Sequence, residues 1–491
     1  MLSQPAVYYA AAVVLVLIRC VPSVWFEQFD FNSDQAVVGL MAKHLVERRN
    51  FPLFFYGQNY MLGVQAWIAA PFFVIGGPTV AMLRAPLLLI NVSVVFWLMI
   101  RLVRKGIHPA LALVATLPLI APGPLASTLL MQTLGASIEP FLWILLLWAV
   151  RRHPSAFGTL FAAGYLHREF VLFALPALLV VWWVERGSLD REAVTYALKA
   201  ATAFAVIWIG VDQIARHVNT LGPPGGEYAP GSLVAQSEMV VMRLAWDRHA
   251  YLERLIALFR GTLPDLFALR SEPSWLIGVN SQRTLGSALG GVAFLTGNVL
   301  AATAVLRTRT AGTVRSDRFP LYLGLIAAQT VLAYALNGGL NPATPGVARY
   351  VLFALLMPIA VLCGFVERRP SLAMATAVGV LLTIWAGQNV RDSVGLVAEY
   401  VTTPPPNERR ALVDYLTSHR IRYGRADYWD AYLVDFLSRE RVILAPTAVM
   451  RISSYDARVA RNSANAVAVW KQPCATGDRV ASWCVDDPLH R

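Results

Sequence analysis

The chain has 491 residues, of which 56% are hydrophobic and 15% are charged, and its formal net charge is +12. Soluble domains carry about a quarter charged residues, so this composition excludes an ordinary soluble protein. Several continuous apolar runs approach the ~20 residues that cross a bilayer, which predicts a mainly α, polytopic membrane protein rather than a β-barrel. The basic residues fall largely in short loops and form no basic-aromatic stripe, so the charge indicates no nucleic-acid partner.

Eleven apolar runs are predicted to cross the membrane, the first retained because it lacks a basic leading region and a convincing cleavage site. They are residues 6–22, 79–100, 108–122, 138–150, 156–166, 170–184, 196–215, 285–306, 319–336, 350–366 and 371–390. Segment 62–77 is also apolar, but its length suits either a span or an interfacial helix. If it lies in the interface and the N-terminus is cytoplasmic, the most basic loops face the cytoplasm, as the positive-inside rule requires.

This topology predicts a multi-pass protein of a bacterial inner membrane, with a membrane domain over residues 1–390. The first outer loop, 23–78, is predicted to hold two juxtamembrane helices, 34–49 and 62–76. Further outer regions are 123–140, 216–284 and the tail 391–491. In the tail, an amphipathic helix pattern followed by short strand-like runs predicts a small α/β domain in the periplasm.

Two cysteines, Cys474 and Cys484, lie ten residues apart in this tail. Outside the cytoplasm they could form a disulfide, whereas in a reducing compartment they would stay free thiols. The sequence contains no CxxC motif and no His/Cys spacing typical of a metal site.

Polar residues from four separate segments are predicted to meet at the outer face. Asp34 heads this set, because an ionisable residue at the mouth of a membrane bundle usually marks a site. The others are Tyr56, Gln58, Asn59, Tyr60, Gln65, Glu139, His167, Arg168, Glu169, Arg349 and Tyr350. A carboxylate can take the proton of an acceptor hydroxyl, and arginine suits phosphate. Aromatics and amides suit sugar rings, which have an apolar face and many hydroxyls.

Each of these residues also has a structural alternative. Asp34 could cap a helix N-terminus, and Glu139 could stabilise a first helical turn through the helix dipole. His167, Arg168 and Glu169 could form an interfacial ion pair. Arg349 could snorkel at a helix start, and Tyr60 could belong to an aromatic belt.

The stretch SDQAVVGLMAKHLVERRNFPLFFYGQNYMLGVQAW, together with ARYVLFALLMP near residue 350, resembles the GT-C superfamily of membrane glycosyltransferases. The similarity is to bacterial members akin to protein O-mannosyltransferases and aminoarabinose transferases, of the family 39 type, and covers roughly the first 190 residues best. The resemblance implies transfer of a sugar from a polyprenyl-phosphate donor at the outer face. It also implies that Asp34 is the catalytic acid of the first outer loop, and that Arg349-Tyr350 contacts the donor phosphate.

Two departures from the family pattern stand out. Gln35 follows Asp34 where a second acid is common, and Gln65 stands where a glutamate is common. No cofactor is certain, and a divalent cation held by Asp34 and Glu139 stays open, although two oxygen ligands make a poor site.

The function predicted is an inverting glycosyl transfer to an unknown acceptor, with Asp34 as general base, Glu139 as a second catalytic acid, and membrane lipids around the bundle. The alternatives are a membrane transporter, or a relative of the family that binds lipid without transferring sugar.

Overall fold

The computed structural model describes residues 4–58, 61–188, 190–221, 248–273, 284–309, 318–337, 345–474 and 477–486. Within them the chain is mainly helical, with a small sheet near the C-terminus. The helices of the N-terminal part are α1 Gln4–Trp25, α2 Ser33–Val46, α3 Val64–Gly76, α4 Val80–Arg104, α5 Pro109–Ile120, α6 Pro124–Leu129, α7 Glu139–Val150, α8 Pro154–His167, α9 Ala174–Arg186 and α10 Arg191–Leu221. They are followed by α11 Arg248–Ala257, α12 Leu263–Leu266, α13 Ala288–Arg309, α14 Phe319–Leu336, α15 Leu356–Glu367 and α16 Leu372–Thr402.

Helical structure is found at all eleven predicted spans. By length and hydropathy, seven helices among the described residues could cross a membrane. These seven are Pro5–Trp25, Val80–Arg104, Arg191–Arg216, Ala288–Arg307, Phe319–Leu336, Gly346–Glu367 and Leu372–Thr402. Helices α5 and α7 are apolar but shorter, and the run 170–184 begins as a 3₁₀ helix, Glu169–Phe173, before continuing as α9. The chain is thus a helical membrane bundle, as its sequence predicts.

The first outer loop contains the two juxtamembrane helices that the charge distribution predicts. Helix α2 begins after Asn32, whose side-chain oxygen accepts a hydrogen bond from the Gln35 amide at 3.1 Å and so caps the helix. Helix α3 has 13 residues and would rise only about 20 Å, which is too short for a perpendicular span. It packs between α2 and α4.

The C-terminal part folds as the α/β unit expected from its sequence. Helices α17 Glu408–Ser418, α18 Tyr428–Leu437 and α19 Ser453–Arg461 accompany strands β3 Tyr423–Ala426, β4 Ile443–Pro446, β5 Val467–Lys471, β6 Asp478–Val480 and β7 Trp483–Asp486. The strand order is β4-β3-β5-β7-β6, with β3 parallel to both of its neighbours and the β5-β7-β6 edge antiparallel. A disulfide joins Cys474 to Cys484 beside this edge. A separate two-stranded ribbon pairs β1 Glu272–Pro273 with β2 Thr284–Leu285.

The juxtamembrane helices and the C-terminal unit share one hydrophobic core. Phe436 of α18 packs against Phe31 and Phe73, and a Cβ added at Gly39 of α2 would collide with its ring. Close helix contact therefore depends on the missing side chain at Gly39. Helix α16 continues without a break across position 390, so a single rigid element leads from the membrane bundle into the C-terminal region.

Candidate active site

Asp34 lies in the first turn of α2, at the junction between the membrane bundle and the C-terminal unit. The cap of this helix is supplied by Asn32, so the Asp34 carboxylate is not needed for capping. Its Oδ1 accepts a hydrogen bond from the hydroxyl of Tyr428, at the start of α18. Within the described residues no hydrogen bond reaches its Oδ2. Asp34 thus presents one fixed and one available carboxylate oxygen.

A second carboxylate, that of Asp30, lies in the short loop that precedes α2. Its Oδ2 accepts a hydrogen bond from Gln132 Nε2 at 2.8 Å. Burial raises the pKa of Asp30 to about 6, even though nearby cations act in the opposite direction. Those cations are Arg84, Arg409 and Arg349. Of these cations, Arg84 has the largest charge effect on Asp30.

Buried Arg84 of α4 holds this loop in place. Its guanidinium donates to the carbonyl oxygens of Ser23 and Phe29 at 2.6 and 2.8 Å, and also to the carbonyl of Asp30. Gln35 Oε1 accepts from Arg84 at 3.0 Å, while Gln35 Nε2 donates to the Asp30 carbonyl at 2.8 Å. An ionised acid at position 35 could not make that donation. The first departure from the family pattern thus has a structural reason.

Three of the residues singled out in the sequence meet in a second, buried cluster. Gln65 Nε2 lies 3.1 Å from Glu139 Oε1 and 2.6 Å from His167 Nε2. The other ring nitrogen of His167 accepts a hydrogen bond from Trp143 at 2.9 Å. Glu139 Oε2 is buried and has no hydrogen-bond partner in the described part of the chain. Such an oxygen is costly to bury, so its presence suits an oxygen that meets a ligand.

The segment 131–138 connects the two sets of residues. Gln132 contacts Asp30, and the carbonyl of Leu134 accepts from Arg168. Gly135, at φ +73°, lies against the Gln65 cluster, where a Cβ would lie 3.0 Å from His167 Nε2. A residue with a side chain would be strained there and crowd the cluster. Asp30 and the Gln65 cluster thus lie at either end of one short loop.

Arg349 lies at the edge of a mostly apolar pocket. Its guanidinium donates to the Tyr350 hydroxyl at 3.2 Å and lies 5.0 Å from the centre of that ring. The pocket lining also includes Ala136, Ser137, Pro140, Phe141, Phe170, Thr330, Leu352 and Phe353. Because the lining continues from segment 131–138, the pocket adjoins the Glu139 cluster.

The remaining residues that the sequence predicts for the site lie elsewhere in the structure. Tyr56 is buried, and its hydroxyl lies 3.0 Å from His44 Nδ1. The Oε1 atom of Gln58 is buried and has no hydrogen-bond partner among the described residues. Glu169 opens the 3₁₀ turn that follows Arg168. Asn59 and Tyr60 lie outside the described residues.

A network of charges fastens the C-terminal unit to α2. Glu440 is almost fully buried and forms ion pairs with Lys43 and Arg49, and its Oε1 lies 3.2 Å from His44 Nε2. Tyr455 donates to the same oxygen at 2.8 Å. Burial by itself would raise the pKa of Glu440, but the hydrogen bonds from these cations outweigh it and hold the pKa below its usual range.

The sequence did not single out the C-terminal residues that reach this site. Tyr428 and Arg409 come from helices nearly four hundred positions after α2, and Arg409 donates to the Phe31 carbonyl. Asp30 and Gln132 were also missed. Asp30 lies close to Asp34 in the sequence, but the feature that marks it is its left-handed φ of 44°, which is visible only in the fold.

The residues present do not make a convincing site for a divalent cation. Among the described residues no three His, Cys, Asp or Glu side chains are grouped for metal binding. Between Glu139 and His167 lies the Gln65 amide nitrogen, which is a hydrogen-bond donor and not a ligand. The donor set therefore favours a hydrogen-bonded cluster over a metal centre.

No protein-family model matches the chain, and no curated protein is significantly similar to it in sequence. Solved structures do match over nearly its whole length. ArnT from Cupriavidus metallidurans, bound to undecaprenyl phosphate, aligns with a TM-score of 0.57 and 12% identity, covering 98% of this chain and 97% of that one. The apo oligosaccharyltransferase of Archaeoglobus fulgidus aligns with a TM-score of 0.51 and 10% identity, covering 95% and 69%.

The Archaeoglobus fulgidus oligosaccharyltransferase AglB, in complex with an inhibitory peptide and a dolichol-phosphate, gives a TM-score of 0.51 at 12% identity, again covering 95% and 69%. Identities this low establish the fold alone. The alignment to ArnT spans the helical bundle, the juxtamembrane helices and the C-terminal unit. The chain therefore has the GT-C fold of membrane glycosyltransferases that its sequence predicts.

Proposed function

We propose that this protein is a membrane glycosyltransferase that takes a sugar from a polyprenyl-phosphate donor and transfers it to an acceptor at the outer face. The observation that carries the proposal is the loop 131–138, which connects Asp30, beside Asp34, to the buried cluster of Glu139. Two of the structures that share the fold contain a polyprenyl phosphate, undecaprenyl phosphate in ArnT and dolichol-phosphate in AglB. A lipid-linked donor arrives already activated, so no nucleotide-binding motif is needed.

The donor phosphate is proposed to lie against Arg349. Arg349 lies beside a small apolar recess, and a guanidinium group suits phosphate, so a ligand that joins a hydrocarbon chain to a phosphate is the one proposed here. Stabilising the charge of the departing phosphate would assist bond breaking, because enzymes commonly gain most of their rate by stabilising charge that develops in the transition state. Tyr350 contacts this arginine directly, and Arg168, which donates to the Leu134 carbonyl, is proposed to support the site through segment 131–138.

The acceptor hydroxyl is proposed to approach Asp34. Tyr428 fixes Oδ1, which leaves Oδ2 to take the proton as the acceptor oxygen attacks the anomeric carbon. A single displacement of this kind inverts the anomeric configuration. The bond to the phosphate oxygen breaks as the new glycosidic bond forms, and the lipid phosphate leaves with the electron pair. General-base assistance is typically worth roughly 10²–10⁴-fold in rate.

Glu139 is proposed as the second catalytic carboxylate. Its Oε1 accepts a hydrogen bond from Gln65, while Oε2 has no partner among the described residues and is proposed to accept a hydrogen bond from a hydroxyl of the sugar. His167, Arg168 and Gln65 would fix this acid in place rather than react themselves. Tyr56, by contrast, packs with His44 and is better explained as a structural residue.

The protein is proposed to reside in a bacterial inner membrane, with the C-terminal unit in the periplasm. The Cys474–Cys484 disulfide supports this orientation, because disulfides persist in oxidising compartments. The distribution of basic loops independently puts the same side outside the cytoplasm.

One specific observation favours a second candidate, a relative that binds polyprenyl phosphate without transferring sugar. The Gln65 amide occupies the space between Glu139 and His167, where the family commonly has an acid. Turnover of a labelled lipid-linked sugar separates the two candidates, since only the transferase releases free polyprenyl phosphate.

The donor site is tested by binding of undecaprenyl phosphate to the purified, full-length protein. Arg349→Ala is expected to weaken binding by about tenfold or more, since a hydrogen bond to a charged group contributes about 1.5–3 kcal/mol. Arg349→Lys should retain part of the affinity because it keeps the charge. Arg391→Ala, which removes an exposed arginine of α16, serves as the control. Equal affinity of the Arg349→Ala variant and the wild type would remove Arg349 from the donor site.

A further inference from the structure

An open cavity lies where the C-terminal unit meets the beginning of α4. It has a volume of about 160 Å³, and its lining includes Glu27, Val80, Arg410, Phe436, Arg439 and Arg441. It is separate from the proposed transfer site, because none of its lining residues belongs to the Asp34, Glu139 or Arg349 clusters. This volume is below that of pockets for drug-sized ligands and suits a smaller group, such as a phosphate headgroup.

The cavity carries a net positive charge. Glu27 and Arg410 form a salt bridge, with Arg410 Nε 3.0 Å from Glu27 Oε1, and Asn407 donates to the same oxygen at 3.0 Å. This acid is therefore already neutralised. Arg439 and Arg441 form no ion pair with any described carboxylate. The two positive charges left over make the cavity suited to an anion.

An unusual backbone turn directs these arginines to the cavity. Arg439 and Glu440 have φ values of +56° and +62°, a region that side-chain-bearing residues rarely adopt. The turn sends Glu440 into its ion pairs with α2, while Arg439 on one side and Arg441 on the other line the cavity. Nε of Arg441 donates to the Ser438 carbonyl at 3.1 Å, which fixes its stem.

The cavity lies beside the ends of two helices that are long and apolar enough to cross a membrane, so we expect it at the membrane surface. Glu27 follows the end of the spanning helix α1, and Val80 begins the spanning helix α4. Close to these lining residues in the sequence, Trp25, Val74 and Ile75 are 78%, 72% and 83% exposed, respectively. Exposed apolar side chains next to a spanning helix are expected to face acyl chains, and tryptophan favours the headgroup level. A ligand in the cavity would thus have a charged part near Arg439 and apolar parts near Trp25.

We propose that this cavity binds the phosphate headgroup of an anionic phospholipid from the surrounding leaflet, with Arg439 and Arg441 contacting the phosphate and the acyl chains lying along Trp25, Val74 and Ile75. The lipid would fasten the C-terminal unit to the bilayer beside α2. The positive end of the α4 dipole, at Val80, adds to the attraction. This site is independent of the proposed sugar transfer.

The experiment measures lipid retention by the full-length protein with native mass spectrometry, using dioleoyl-phosphatidylglycerol and dioleoyl-phosphatidylcholine as probes. The wild type is expected to retain phosphatidylglycerol in preference to phosphatidylcholine. The double variant Arg439→Gln with Arg441→Gln should bind phosphatidylglycerol about 25-fold more weakly, since each arginine near a lipid surface contributes about a factor of five and the two factors multiply. The variant with lysine at both positions should keep most of the affinity and shows that the fold survives changes there.

A matched control replaces Arg422, just before β3, and Arg479 of β6 by glutamine, which removes the same charge from exposed positions. Retention by this control should equal that of the wild type. Equal losses in the two glutamine double variants, or no preference for phosphatidylglycerol, would overturn the proposal. So would inorganic phosphate displacing the lipid at equal concentration, because the site would then bind a free anion.

Discussion

The hydroxyl of Tyr428 donates a hydrogen bond to Oδ1 of Asp34. The two residues are 394 positions apart, one in the first juxtamembrane helix and the other at the start of α18. The C-terminal unit thus contacts the carboxylate that the proposed reaction uses as its base. Because Tyr428 is itself mostly buried, the geometry of Asp34 depends on how the two parts of the chain dock.

Replacing Tyr428 by phenylalanine is expected to lower kcat by about tenfold, with little change in KM for the donor. The variant keeps the ring and its packing against Tyr432 but removes the hydrogen bond that orients Asp34. One such hydrogen bond to a charged group contributes about 1.5–3 kcal/mol. The measurement is steady-state transfer from a labelled polyprenyl-phosphate sugar.

The control for this variant is Tyr423→Phe, which removes a hydroxyl from strand β3 away from Asp34. Its kcat should match the wild type. If Tyr428→Phe keeps full kcat across the pH range, then Tyr428 does not position the base.

Glu440→Gln is expected to destabilise the docking of the C-terminal unit by about 3 kcal/mol. Removing one member of a buried ionic network leaves the opposing charges, here Lys43 and Arg49, without their partner. The loss of stability is measured by thermal unfolding, with tryptophan fluorescence as the signal. Glu47→Gln is the comparison, because Glu47 also pairs with Lys43 but is 40% exposed; its effect should stay below about 1 kcal/mol. Similar effects of the two substitutions would mean that burial of Glu440 contributes nothing.

The raised pKa of Asp30 predicts that the folded protein loses stability as the pH rises. Burial raises its pKa from 3.8 to about 6, so between these values the folded protein binds a proton that the unfolded chain has released. Stability contributed by this group is therefore complete below about pH 4 and is lost as the pH rises to about 6.

Asp30→Asn removes this titration. The difference in unfolding free energy between wild type and variant should shift by up to about 3 kcal/mol across that pH interval, in favour of the variant at higher pH. Unfolding midpoints measured in parallel from pH 4 to 7 provide the test. Parallel curves for the two proteins would show that Asp30 titrates normally.

Much of the membrane architecture follows from the sequence, since apolar length and loop charge are local properties. The sequence predicts two juxtamembrane helices, with loop charge indicating that 62–77 does not span, and the structure contains both as α2 and α3. From the sequence, Gln65, Glu139 and His167 could be expected only to lie on the same face of the membrane. Their mutual contacts depend on segment 131–138, whose course the sequence does not specify.

The contribution of the C-terminal unit could not be read from the chain. Tyr428 follows an ordinary helix start, with Asp427 as its N-cap, and nothing in that pattern indicates a partner in the first loop. Gln35 likewise read as a lost acid, although its amide both accepts from Arg84 and donates to the Asp30 carbonyl. Such two-sided hydrogen bonding emerges only once distant segments are in contact.

The most direct test of the central claim is single-turnover transfer from a labelled undecaprenyl-phosphate sugar by the purified protein and by Asp34→Asn, with undecaprenyl phosphate binding measured on both. The amide is expected to accept the Tyr428 hydrogen bond and preserve the fold and the donor affinity. It cannot take a proton, so transfer should fall by at least about 10²-fold. Transfer by the Asp34→Asn variant at the wild-type rate would contradict a role for this carboxylate as the general base.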